Sequence, residues 1–473
     1  MEATTTRPRA ADRARTRRSR ADLIVLGVEA ALVAAAVATG ALLNARGAGL
    51  HADAAPLFAT WGPHAGWGTP VAALVALAVL GPGLAWARTA RWVPLLGAAW
   101  AASVGWTLAL ALVDGWSTGL TEKLTPQAEY LHEVPRVDDI PAMLAGFTGR
   151  ILDFQPESWS THTAGHPPGA LLIFVWLDRV GLGGGTAAAL TCVLVGATVA
   201  VSVPVALRAL GAVDAARAVV PFLVLLPGAV WVGASADGVF AGVVAAGLAL
   251  LAVPGRAAPA AGGLLLGFAL HLSYGFVLVG LLALAVLAVR PAGRLPALLA
   301  GAAGVTAVVL AFELAGFRWW DGYHLVVERY YQGWAADRPY AYWVWANLAA
   351  LLLSAGPVLG PALLRAGRAG GAAVRAAATG SRAGTAVRRC VVAARTLPGV
   401  VGPTVLLPLA AAAAVVAADL SGLSKAEVER IWLPFTVWLL VATVHLPPAG
   451  RRWWLAGQAA TALAVNHLVW TVS

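Results

Sequence analysis

Apolar runs close to the length of a bilayer crossing recur from end to end of this chain, separated by polar breaks. They lie near 23–43, 69–87, 92–113, 167–182, 186–207, 218–235, 238–254, 260–273, 275–290, 295–315, 341–362, 397–418, 431–447 and 453–471. A helix needs roughly 20 apolar residues to cross the hydrocarbon. Backbone polar groups find no water there, so each crossing must be helical. Several runs are short, and 260–290 reads equally as one tilted helix. The pattern therefore predicts an all-α polytopic membrane protein with about 11–14 transmembrane helices. Its polar segments are a tail at 1–22 and loops at about 114–166, 316–340, 363–396 and 419–430; residues 23–473 form a single transmembrane domain. The first of these loops contains short amphipathic stretches, which predict juxtamembrane helices.

Composition agrees with this class. Hydrophobic residues make up 59% of the chain and charged residues 12%, against about 25% charged in soluble domains. The net charge of +10 is topological. Residues 7–20 (RPRAADRARTRRSR) hold seven arginines, and 365–395 hold seven more without an acid. Positive loops stay in the cytoplasm, so the N-terminus is expected inside and 114–166 outside the plasma membrane. No folded basic surface for nucleic acid is visible. The abundance of Ala, Gly and Arg with almost no Lys suggests a high-GC bacterial genome. The two cysteines, Cys192 and Cys390, lie far apart in sequence and offer no disulfide framework or metal site. Residues 23–43 read as a retained helix, not a signal peptide.

Counting back from Arg451 and Arg452 as inside puts 419–430 outside, 363–396 inside, 316–340 outside, and Arg290, Arg294 and Arg256 inside. One stretch resists. If 167–182 and 186–207 both cross, Arg208 and Arg217 fall outside. Either one segment is re-entrant, or a short loop breaks the rule.

Candidate chemistry concentrates in the first loop, from Asp114 to His166-Pro167-Pro168-Gly169. Asp114 follows the apolar run WTLALALVD. A carboxylate at the mouth of a bundle is partly desolvated and suited to act as a base, although Asp-Gly is also a common turn. Asp138 and Asp139 precede Ile140-Pro141; a helix N-cap accounts for one of them and leaves the other spare. Glu129-Tyr130 and His132-Glu133 read as solvated surface or as site residues. His162 and His166 are four apart, but the surrounding Gly and Pro predict a loop, and without HExxH or a nearby Cys zinc is not indicated. Pro167-Pro168 suits a helix entry. In the second outer loop, Asp321, His324 and Glu328 alternate with Trp and Tyr. Such a mixture fits an interfacial aromatic belt or a sugar-binding surface. His271, Ser273 and Tyr274 interrupt an apolar stretch, and intramembrane polar groups are functional candidates. Asp237 in Ser-Ala-Asp-Gly flanks a span on an undetermined side. Arg430, in Glu-Arg-Ile-Trp-Leu-Pro-Phe, either snorkels to headgroups or clamps a phosphate with its planar fork. Walker-type and GxGxxG signatures are missing, which argues against nucleotide-driven transport.

LALVDG (110–115), EYLHEVPRVDDIPAMLAGF (129–147), HTAGHPPGALL (162–172) and ERIWLPF (429–435) together resemble the GT-C superfamily of membrane glycosyltransferases. In detail, SADGVF, HLSYG and KAEVERIWLPF are most similar to actinobacterial methylthioxylose-transferase-like cell-envelope proteins. The resemblance implies a GT-C-like fold, a polyprenyl-phosphate sugar donor, an envelope glycan, lipoglycan or glycolipid acceptor on the outer face, and inversion at the sugar. Two departures stand out. Two extra helices (23–43 and 69–87) precede the loop, and the usual acidic pair after the first helix is Asp114-Gly115 here.

The expected enzyme is thus an inverting pentosyl- or hexosyltransferase of the plasma membrane. Its lipid-phosphate leaving group needs one base and cations to hold the developing charge. Asp114 is the expected base, with Asp138 or Asp139 as runner-up. Arg430 and His166 are expected to bind the phosphate, and Tyr130, His162, Asp321, His324 and Tyr274 the substrates. No cofactor is required, and a divalent metal stays open. The competing expectation is a transporter or flippase of a lipid-linked precursor, which favours internal repeats and midplane charges. No clear repeat is seen.

Overall fold

The computed structural model describes residues 10–233, 235–380 and 399–471. Part of the N-terminal tail and residues 381–396 of the expected basic loop, Cys390 among them, lie outside the described residues. The described residues are mostly helical, with almost no sheet. Among the described residues, six helices are long and apolar enough to cross a membrane: Arg20–Ala45, Gly68–Thr89, Trp92–Ala111, Gly185–Ala209, Arg294–Leu314 and Pro403–Leu420. A seventh span results if Tyr340–Ala355 and Leu359–Ala377, bent by 96° at their junction, count as one. There are also shorter apolar helices, Asp237–Ala252, Ala257–Leu270, Tyr274–Val289 and Leu433–His445, of which the first and last are almost wholly buried. This is the build of a multi-pass membrane protein.

The helices Ala257–Leu270 and Arg294–Leu314 pack on each other through glycine. A Cβ on Gly263 would lie 2.0 Å from the Gly301 carbonyl, and one on Gly304 would lie 2.4 Å from that of Ala260. Small residues of this kind let membrane helices approach backbone to backbone. The stretch 257–289 is two helices, not one. They break at His271–Ser273, where the His271 ring stacks on Phe312 and its Nδ1 meets the Gly267 carbonyl.

The chain runs back and forth between two ends. At one end Ala59–Trp61 pairs antiparallel with Val469–Thr471. There Arg338 donates to the carbonyls of Leu50, His51 and Lys425. Asp153 N donates to Gln332, and Arg430 meets Asp237. The three long loops predicted outside therefore gather at this one end, joined by 46–67. At the opposite end Arg217 donates to the carbonyls of Ala87 and Ala90. Arg208 lies over Trp92, and Arg290 bonds the carbonyls of Leu251 and Gly255.

These contacts resolve the conflict over Arg208 and Arg217. The segment 167–182 does not cross. Its helix, Gly169–Arg179, has 11 residues, about 16 Å at 1.5 Å per residue. Arg179 at its far end donates to the carbonyls of Val137 and Asp138. Gly185 beyond it packs on the Thr121 carbonyl. Both ends of 169–179 thus touch the first loop, and Gly185–Ala209 is the segment that carries the chain to the opposite end.

Candidate functional site

The first loop is folded, and His162 and His166 are aimed inward. Asp139 caps Ile140–Gly146 by accepting from Ala142 N at 2.9 Å. Glu133 is 1% exposed and accepts from Ser160 N, so Glu129–Glu133 is not solvated surface. Residues Thr161–Gly165 form a short helix where the sequence predicted a loop. Ser160 starts it by donating to Thr163 Oγ1 at 3.0 Å. Helical spacing puts His166 Nδ1 against the His162 carbonyl at 2.9 Å, and Pro167-Pro168 leads directly into Gly169–Arg179 as expected. Gly169 is obligatory: a Cβ there would lie 2.5 Å from the His271 carbonyl.

This loop meets two other elements in a buried polar cluster. Arg430, in the short helix Val428–Ile431, is the hub, at 6% exposure. Its Nη1 donates to Asp237 Oδ2 at 2.9 Å, and its Nη2 to Glu427 Oε2 at 2.5 Å and to His162 Nε2 at 3.4 Å. His162 Nδ1 faces Glu129 Oε1 at 2.7 Å, which fixes the proton on Nδ1 and leaves Nε2 to accept from the guanidinium. Next to it, His166 Nδ1–H is shared between the Tyr130 hydroxyl at 2.8 Å and the His162 carbonyl. Its Nε2 is left as an acceptor.

Local electrostatics hold these states. Burial works against charge on Arg430, but Glu427, Asp237 and Glu129 outweigh it and raise its pKa above the ordinary value. Burial alone would raise Glu427; Arg430, Arg338 and His162 pull it below the usual range instead. Burial keeps His166 neutral by lowering its pKa, and it raises the Tyr130 phenol. Glu429, buried beside them, is pushed up to about 7 by desolvation.

Asp114 belongs to a different network at the same end. Its Oδ1 meets His64 Nε2 at 2.8 Å, and His64 Nδ1 meets the Gly62 carbonyl at 2.7 Å. The His64 ring stacks on Trp470 at 3.8 Å. Partners of Asp114 and partners of Arg430 have no member in common. Near Asp114, Gly233, four residues before Asp237, packs on the apolar Ala111, Leu120 and Val193. Asp138 is exposed on the surface, and the side chain of Asp139 is occupied as a cap. Asp321 and His324 are exposed on the Trp319–Gln332 helix. Tyr274 packs under that helix against Trp319 and Tyr323, with its hydroxyl buried and without a partner. Of the residues chosen from sequence, Arg430, His162, His166 and Tyr130 are brought together.

Asp237, Glu427, Glu129 and Arg338 complete the cluster. The only sequence signal for Asp237 was an acid flanking a span. Backbone strain marks the same end. All six described non-glycine residues with positive φ, His51, Ala54, Leu57, Phe154, Ala426 and Glu427, lie there. Such conformations cost of order 1–3 kcal/mol each and collect at functional sites. Among the described residues no group of three or more His, Cys, Asp or Glu is arranged to hold a metal. Comparison with known proteins finds no family model, no curated protein and no solved structure that matches this chain.

Proposed function

We propose that the chain is an inverting membrane glycosyltransferase with a GT-C-like fold, whose strained end faces out of the cell. In this reading it moves a pentose or hexose from a polyprenyl-phosphate donor to an envelope glycan or glycolipid. The observation that carries the reading is the Asp237–Arg430–Glu427–His162–Glu129 cluster, assembled at one end of an apolar bundle from segments far apart in sequence. A lipid-tailed donor delivers its headgroup at that level, and a fixed guanidinium there suits the departing phosphate.

The roles follow from the contacts. Asp237 replaces Asp114 as the expected base: one oxygen is held by Arg430, the other has no partner among the described residues, and a base must lie within bonding reach of the bound substrate. The acceptor oxygen bonds to the anomeric carbon as the bond to the phosphate oxygen breaks. The acceptor proton goes to Asp237, and polyprenyl phosphate leaves with its electron pair. Neutral His166 offers Nε2 to a sugar hydroxyl, a role that suits it better than phosphate binding.

The test is transfer from radiolabelled polyprenyl-phosphate sugars in membranes. Asp237→Asn should lose about 10²-fold or more, while Asp114→Asn keeps most activity. The reverse order returns the base to Asp114. Absence of transfer by the wild type from any such donor removes the function.

A further inference from the structure

Glu427 is held by two guanidiniums at once. Its Oε2 accepts from Arg430 Nη2 at 2.5 Å, and its Oε1 from Arg338 Nη1 at 3.5 Å. Arg338 comes from the turn that precedes the helix Tyr340–Ala355 and is itself 6% exposed. Three backbone carbonyls, of Leu50, His51 and Lys425, fix its fork. Two rigid forks converging on one planar anion form the recognition geometry for carboxylates and phosphates. Arg430 Nε is buried and has no partner among the described residues, so the seat has donor capacity that Glu427 does not use.

The backbone that delivers this carboxylate is strained. Ala426 has φ +72° and Glu427 has φ +62°, two consecutive side-chain-bearing residues in the left-handed region. Each is disfavoured relative to ordinary backbone. Asp237 grips the other side of Arg430 from the end of a long buried helix. Of the two carboxylates on Arg430, Glu427 is the more exposed, 22% against 6% for Asp237, and it is the one on the strained connection.

We infer that the space between Arg430 and Arg338 is a phosphate seat, occupied by Glu427 as an internal stand-in until a phosphate-bearing ligand displaces it. The ligand class is a phosphate mono- or diester. Assigning the phosphate to a lipid-linked sugar donor rests on the function proposed above; the seat does not. On displacement the Glu427 side chain turns outward, the left-handed pair can relax, and Arg430 keeps Asp237. The sequence-based expectation of Arg430 as a phosphate ligand thereby gains a second arginine, and the resting structure gains a reason for its carboxylate.

Direct binding by the full-length protein in nanodiscs tests this, without need of transfer. The probes are inorganic phosphate, phosphatidic acid and a polyprenyl phosphate. A competitor that fills the seat in about nine molecules of ten weakens apparent affinity about tenfold, so Glu427→Gln should tighten binding by that factor. Arg338→Gln should weaken it. Tightening towards inorganic phosphate assigns the seat to the bare anion; tightening restricted to one of the two lipids assigns it to that headgroup and tail. Glu427→Asp, one methylene shorter, keeps the charge but cannot bridge both forks, and it should tighten binding less than Gln does. Should Glu427→Gln fail to fold, Glu427→Asp must still bind more tightly than the wild type. Unchanged or weaker binding in both Glu427 variants to every probe overturns the seat, even if the enzyme transfers sugar. Tightening in a protein that transfers nothing leaves the seat and removes the donor.

Discussion

The Arg430 hub predicts an asymmetry in stability between its two sides. Asp237→Asn removes one carboxylate from a guanidinium that retains Glu427 at 2.5 Å and His162 at 3.4 Å. The buried positive charge stays compensated, so the loss is that of one charge-assisted bond, about 1.5–3 kcal/mol. Arg430→Met is different. It strands Asp237, whose side chain is 6% exposed and has no other cationic partner among the described residues, and leaves Glu427 with only Arg338 at 3.5 Å. Breaking a buried pair so that an uncompensated charge remains costs about 3–5 kcal/mol. The double variant Arg430→Met/Asp237→Asn removes the stranded charge and should recover part of that loss. Unfolding of the full chain in one fixed detergent, followed by tryptophan fluorescence, should rank the variants with Asp237→Asn most stable, the double variant next and Arg430→Met last. A double variant less stable than Arg430→Met, or equal losses in the two single variants, refutes Arg430 as the hub of the cluster.

Two more outcomes follow. Glu429 is raised by burial from its ordinary 4.5 to about 7, so the fold favours its protonated form. That contribution is complete below the unfolded value and is lost as pH rises through about 7, by at most about 3 kcal/mol at 1.36 kcal/mol per pH unit. Stability measured between pH 5 and 8 should fall for the wild type and run flatter for Glu429→Gln; parallel profiles would show that Glu429 is not the titrating group. For topology, in a Cys390→Ser background, Leu182→Cys and Phe154→Cys should react with an impermeant maleimide from the same side of the membrane and Val213→Cys from the other; labelling of Leu182→Cys together with Val213→Cys would restore 167–182 as a crossing.

Much of the architecture was legible because membrane insertion is a local rule. An apolar window of about 20 residues has one structural solution in hydrocarbon wherever it occurs. Arginine placement likewise grouped the three long polar loops at one end. The rule failed at 167–182, where an apolar stretch of suitable composition forms only Gly169–Arg179; Arg179 bonds back to the loop it came from. The segment 46–67 went unnoticed because its polar residues are scattered among apolar ones, and the strain at His51, Ala54 and Leu57 leaves no mark in composition.

The site divides in the same way. The sequence by itself determined that this is a helical membrane chain, and it singled out Arg430, His162, His166 and Tyr130 as candidates in polar segments beside apolar ones. Tertiary structure alone decided that Asp237, 193 residues before Arg430, is its ion partner, and that Asp114 pairs with His64 instead. The physical reason is reach. Insertion is set by a residue's neighbours along the chain, whereas an ion pair forms between side chains only a few ångströms apart, and which helix ends come that close depends on packing. Here the chain next to that pair packs through Gly238 on the Cys192 carbonyl and Gly228 on Leu433.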